Sequence, residues 1–107
     1  MQKTRTAIVT GASRGIGAAI AKRLAQDDIA VIVNYTRGKD AAGEVVSAIE
    51  AAGGTALAVQ ADIGEPTGMA ALFDAAEKAF GKADILVNNA GMMRLSPIAD
   101  TDDAAFE

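Results

Sequence analysis

The sequence predicts an α/β fold built on a doubly wound parallel sheet. Three observations carry this. Four short apolar runs recur, TAIVT (6–10), AVIVNY (30–35), ALAVQ (56–60) and DILVN (84–88). Segments with apolar residues at helical spacing lie between them. The first run feeds straight into a glycine-rich turn, TGASRGIG (10–17), that opens the first helix. Strands alternating with helices of about 10–15 residues imply right-handed crossovers and a parallel sheet covered on both faces.

Each element follows from its residues. The four runs are bounded by Gly, Asp or Asn and read as strands buried on both faces, as parallel strands usually are. The first helix opens at about Gly15, with Ile16, Ile20 and Leu24 at i, i+4, i+8. The second is alanine- and glutamate-rich from Lys39 to Ala52, with Ala42, Val45, Val46 and Ile49 on one face. Gly53-Gly54 suits its end. Pro66 suits the first turn of the third helix, whose apolar face is Met69, Leu72, Phe73, Ala76 and Phe80. Residues 91–100 (GMMRLSPIAD) are the one long loop. Thr101 is then a natural helix N-cap, with Asp102 and Asp103 in a first turn that Ala104, Ala105 and Phe106 continue. The sequence stops inside that helix, at Glu107.

Composition bounds the chemistry. Half the 107 residues are hydrophobic and 4% are aromatic, so the core is aliphatic and alanine-rich. No stretch approaches the ~18 apolar residues of a membrane span. The N-terminal MQKTRTAIVTG carries no signal-peptide pattern, and the expected compartment is the cytoplasm. Cysteine and histidine are absent, which removes disulfides, His/Cys zinc sites, histidine bases and cysteine nucleophiles from these residues. The net charge of −4 argues against nucleic acid as a partner. Charge is uneven, however. Seven of the ten basic residues lie within residues 1–39 (Lys3, Arg5, Arg14, Lys22, Arg23, Arg37, Lys39), against only two acids, Asp27 and Asp28. A basic first third on an acidic chain points to a local anion site.

The glycine turn names the anion. In a strand–turn–helix context, backbone N–H groups approach a pyrophosphate that rests on the helix N-terminus. Gly11 permits the tight turn, Gly15 lets a cofactor come close, and Gly17 lets the helix pack on the sheet. Ser13 and Arg14 can touch phosphate directly. A dinucleotide fold of this kind orders its strands 3-2-1-4. A P-loop-like nucleotide protein is the more remote reading, and the missing G-x-x-x-x-G-K-[ST] speaks against it.

The spacing is T-G-x-x-x-G-x-G, and here the sequence resembles the short-chain dehydrogenases/reductases, 3-oxoacyl-carrier-protein reductases among them. NNAG (Asn88–Gly91) after the fourth run and Ala61-Asp62-Ile63 after the third strengthen the likeness, which covers the chain from Thr6 onward. The resemblance implies a Rossmann-type domain of which residues 1–107 are the N-terminal, cofactor-binding portion. It implies a nicotinamide cofactor, a small-molecule carbonyl or alcohol substrate, and a dimer or tetramer of the complete protein. It assigns Gly11, Ser13, Arg14, Gly15 and Ile16 to the pyrophosphate and ribose. Asp62 would accept from the adenine amino group, with Ile63 against the ring, against the alternative of a turn aspartate after a strand. Asn89, Ala90 and Gly91 would pass under the ribose, and Asn88 would tie the fourth strand to its neighbours.

The family's catalytic Asn, Ser and Tyr-x-x-x-Lys have no match here. YTRGK (Tyr35–Lys39) spells the last motif but sits at the end of the second strand, beside the adenosine half. No catalytic residue is therefore assigned, and the catalytic half is expected to lie outside this chain. Met92, Met93 and Leu95 are apolar enough to form one wall of a substrate site or to cover the sheet edge. NADP(H) is the expected cofactor. NAD(H) enzymes place an acid about 20 residues past the glycine loop. The segment there is Tyr35, Thr36 and Arg37, with no acid between Asp28 and Asp40. A guanidinium at Arg37, with Arg14 opposite, suits a 2′-phosphate, against the alternative of a solvated turn residue.

Overall fold

The computed structural model describes residues 5–89. Seven elements follow in order: β1 (Thr6–Val9), α1 (Gly15–Gln26), β2 (Ala30–Tyr35), α2 (Lys39–Ala51), β3 (Ala56–Gln60), α3 (Pro66–Ala79) and β4 (Ile85–Val87). The strands form one parallel sheet in the order β3-β2-β1-β4. This is the doubly wound arrangement that the alternation of strand and helix demanded. Ala90, Gly91, Met92, Met93, Leu95 and the helix expected from Thr101 lie outside the described residues. Among the described residues no helix is long and apolar enough to cross a membrane.

The register sets the two faces. Ala7, Val9, Val31 and Val33 point to one side and are fully buried beneath α1 and α2. Ile8 and Ile32 pair across the sheet, point to the other side and are sealed by Leu72 and Ala76 of α3. Each fully buried Ile or Leu removed from water contributes roughly 1.5–3 kcal/mol. The same row continues to Leu57 and Leu86 at the two edges, and these are 40% and 45% exposed. Burial on both faces thus holds for β1 and β2 but not for β3 and β4. Among the described residues a single helix covers the centre of that face and leaves its margins open.

Two helices depart from their sequence pattern. In α1 the buried face is Gly17, Ala18, Ala21 and Ala25; Ile20 and Leu24 are only partly buried, and Ile16 is 61% exposed. The valines of β1 and β2 already fill the interlayer space, so the helix closes on them through small residues. In α3, Leu72 and Ala76 are buried with Met69 and Phe80 beside them, but Phe73 is 41% exposed. The second helix keeps its expected face, Ala42, Val45 and Ile49. Its end uses the two glycines. Gly53 turns at φ 92°, and the Gly54 N–H donates to the Ile49 carbonyl at 2.9 Å. Pro66 stands in the first turn of α3. At the end of α1, Asp28 adopts φ 63°, a left-handed conformation that a non-glycine residue rarely takes.

Candidate functional site

The turn after β1 is bonded to the carboxyl ends of β2 and β4 and, through Asn34, is linked to that of β3. Thr10 continues that strand: its N–H donates to the Val87 carbonyl at 3.0 Å, and its hydroxyl faces Val87 O at 3.3 Å and Asn88 Oδ1 at 3.2 Å. Asn88 therefore ties β4 to β1, as its place in NNAG implied. Gly11 then turns at φ 59°. Its N–H donates to Asn34 Oδ1 at 3.1 Å, and the next N–H, of Ala12, donates to the Asn34 carbonyl at 2.8 Å. Its own carbonyl accepts from Asn89 Nδ2 at 3.1 Å. Asn89 is fully buried, and its Oδ1 has no hydrogen-bond partner.

These bonds hold the start of α1 open. Arg14 occupies the N-cap position in extended backbone and forms no side-chain cap, and the first turn holds no acid. The positive end of the helix dipole and its first N–H groups are thus left for an anion. Gly15 adopts φ 64°, and the place of its missing Cβ is open space. Gly17 is the opposite case. A Cβ there would run into the Gly11 carbonyl and come within 2.7 Å of Asn89 Nδ2. The helix thus packs on the turn and on Asn89, where the sequence had suggested the sheet. Ile16 projects from the same first turn into the open.

A second basic corner adjoins the first. A Cβ on Gly38 would lie 3.0 Å from Arg14 Nη2 and 3.7 Å from Ser13 Oγ. The Arg14 guanidinium therefore reaches across to the turn between β2 and α2, where Thr36 and Arg37 are exposed. The ion pairs among the described residues, Arg23–Asp27 and Lys78–Asp74, lie elsewhere, so no carboxylate of these residues neutralises Arg14 or Arg37. Thr36 is anchored on both sides. Its hydroxyl donates to the Ala61 carbonyl at 3.4 Å, and its carbonyl accepts from Gln60 Nε2 at 3.2 Å. Tyr35 packs against the core under α1 and α2, and Lys39 opens α2.

Asp62 follows β3 and is exposed. Its Oδ1 accepts the Gly64 N–H at 2.9 Å, the geometry of a turn aspartate. Ile63 packs partly against the core under α3. Among the described residues no group of three or more Asp or Glu is placed to hold a metal ion.

The sequence reading missed Asn34. It is 1% exposed and joins the glycine turn to β3, with Nδ2 facing the carbonyls of Ala61 at 3.2 Å, Val59 at 3.3 Å and Tyr35 at 3.4 Å. The available signal was a lone amide closing the apolar run AVIVNY.

A family model described as short chain dehydrogenase matches residues 5–107. Over 102 residues the chain is 50% identical to an uncharacterized oxidoreductase of Methylorubrum extorquens, covering 95% of this chain and 41% of that protein. It is 50% identical over 95 residues to 3beta-hydroxysteroid dehydrogenase 1 of Eggerthella lenta, covering 89% and 36%. It is 44% identical over 94 residues to a 3-oxoacyl-[acyl-carrier-protein] reductase of Staphylococcus aureus, covering 88% and 38%. The fold matches a short-chain dehydrogenase/reductase from Serratia marcescens with a TM-score of 0.78 at 45% identity, over 81% of this chain and 36% of that one. The chain thus spans about two fifths of the length of these relatives.

Proposed function

This chain belongs to the short-chain dehydrogenase family, and on that premise we propose that it forms the cofactor-binding half of an NADP(H)-dependent oxidoreductase acting on a small-molecule carbonyl or alcohol. The nicotinamide, when bound, supplies or accepts the hydride. The residues of this chain bind and orient it. The N–H groups at the start of α1 and the Ser13 hydroxyl hold the pyrophosphate over Gly11, Gly15, Ile16 and Gly17. Gly15 supports this placement, because its missing Cβ leaves open space beside an uncapped helix end. Asp62 and Ile63 take the adenine. Asn89, Ala90 and Gly91 take the ribose.

The observation that carries the choice of NADP(H) is the Arg14 guanidinium reaching over Gly38, beside Arg37, which forms no ion pair among the described residues. Tyr35, Thr36 and Arg37 then frame the 2′-phosphate, with two guanidiniums facing a dianion. The test is Arg37→Asp in the protein that carries this chain, with dissociation constants measured for NADPH and NADH. One charge-assisted contact is worth roughly 1.5–3 kcal/mol, so NADPH binding is expected to weaken about 10–150-fold. NADPH affinity that barely moves, or NADH as the tighter ligand of the unaltered protein, overturns the assignment.

For residues 1–107 alone we propose nucleotide binding without turnover. The chain covers 36–41% of the relatives described above, and its one tyrosine, Tyr35, is packed at the end of β2. Turnover assays of this chain beside the longer protein separate the two readings.

A further inference from the structure

We propose that Asn34, which does not touch the cofactor, is the positioning residue that fixes the phosphate turn and the adenine turn relative to each other. The inference rests on the cofactor reading above and adds a role that reading does not contain. Two connections at the carboxyl ends of the strands, the turn after β1 and the turn after β3, meet at this one amide. On one side, Asn34 holds the first two N–H groups of the glycine turn, Gly11 through Oδ1 and Ala12 through its own carbonyl. On the other, Nδ2 points at the carbonyls of Val59, within β3, and Ala61, immediately before Asp62. Asn34 is 1% exposed, so water cannot replace these partners.

The chemistry needs an amide. Asn34 meets a donor, the Gly11 N–H, on one side and acceptors, the Val59 and Ala61 carbonyls, on the other. Asparagine presents both from one rigid plane. The direction of the plane is set by its partners, since reversing it would aim Oδ1 at two carbonyls and Nδ2 at an N–H. Aspartate keeps the acceptor and loses the donor. Leucine has a similar volume and offers neither. The Thr36 hydroxyl, which also donates to the Ala61 carbonyl, links the same point to the basic corner around Arg37.

The experiment compares Asn34→Asp, Asn34→Leu and Asn34→Ser in the full protein that carries this chain. Each is measured below its own melting temperature for NADPH and NADH affinity and for hydrogen exchange at the Gly11 and Ala12 amides. The expected result is NADPH and NADH binding weakened together, by about tenfold or more, in protein that is still folded. The ratio of the two affinities stays fixed, because discrimination belongs to Arg37. Asn34→Leu loses protection at Gly11. Asn34→Asp retains it and still loses affinity, because a buried carboxylate then faces the Val59 and Ala61 carbonyls ahead of Asp62. Serine, short enough to fold where the other two fail, loses affinity with them. Variants that melt lower but bind both cofactors as tightly as the unaltered protein overturn the proposal and leave Asn34 as a core residue only. If the unaltered protein binds neither cofactor, the cofactor reading itself fails, and this proposal fails with it.

Discussion

The Asn89 amide donates to the Gly11 carbonyl at 3.1 Å, joining residues 78 positions apart. This bond closes the phosphate turn from the β4 side, as Asn34 closes it from the β2 side. Gly17 must lie against both partners at once. Asn89→Ala leaves the Gly11 carbonyl without its donor and is expected to cost about 1–3 kcal/mol. Asn89→Asp is expected to cost more, because a buried carboxylate would face that carbonyl. Urea denaturation of the two variants measures both. An alanine variant as stable as the parent would show that the bond contributes nothing.

The glycines at 15 and 17 are expected to fail in different ways. Gly17→Ala forces a methyl group into the Gly11 carbonyl and the Asn89 amide, neither of which can move freely. Overpacking of this kind costs about 1–3 kcal/mol and lowers the melting temperature. Gly15→Ala meets open space and bears only the strain of its positive φ, about 1–2 kcal/mol. Its methyl group stands where the pyrophosphate is proposed, so NADPH affinity is expected to fall at least tenfold in a protein that remains folded. Paired thermal melts and cofactor titrations distinguish the two. Gly15→Ala with unchanged affinity would move the phosphate away from α1.

Asp62→Asn separates turn from ligand. The amide oxygen keeps the bond to the Gly64 N–H, so on an exposed site stability should stay within about 0.5 kcal/mol. A contact between the carboxylate and the adenine amino group is lost or reversed, and NADPH binding is expected to weaken severalfold. Unchanged affinity in a calorimetric titration would leave Asp62 as a turn former alone.

The β4 strand pairs only with β1 among the described residues, and Leu86 is 45% exposed on it. An apolar strand with an open edge recruits other chains. The 107-residue chain is expected to self-associate as its concentration rises, and Leu86→Lys to reduce this. Sedimentation velocity over a concentration series reads the difference. A parent chain that stays monomeric at high concentration contradicts the expectation.

The sequence by itself determined the order of the elements, most of their limits, the 3-2-1-4 sheet and the strand–turn–helix setting of the glycines. These are legible because period, chain breakers and turn residues act within a few positions of one another. AVIVNY and ALAVQ end where β2 and β3 end, and Pro66 starts α3 as its fixed φ requires. The tertiary structure alone decided which residues close the site. Asn34 and Asn89 work across 23 to 78 residues of chain, and no spacing rule records a bond of that length. Tertiary packing also turned the expected face of α1, burying alanines, leaving Ile20 and Leu24 at the margin of the core and exposing Ile16. The periodicity of a helix shows which residues share a face. How near that face can approach is set by the side chains it meets, and here the valines of β1 and β2 left room only for small ones.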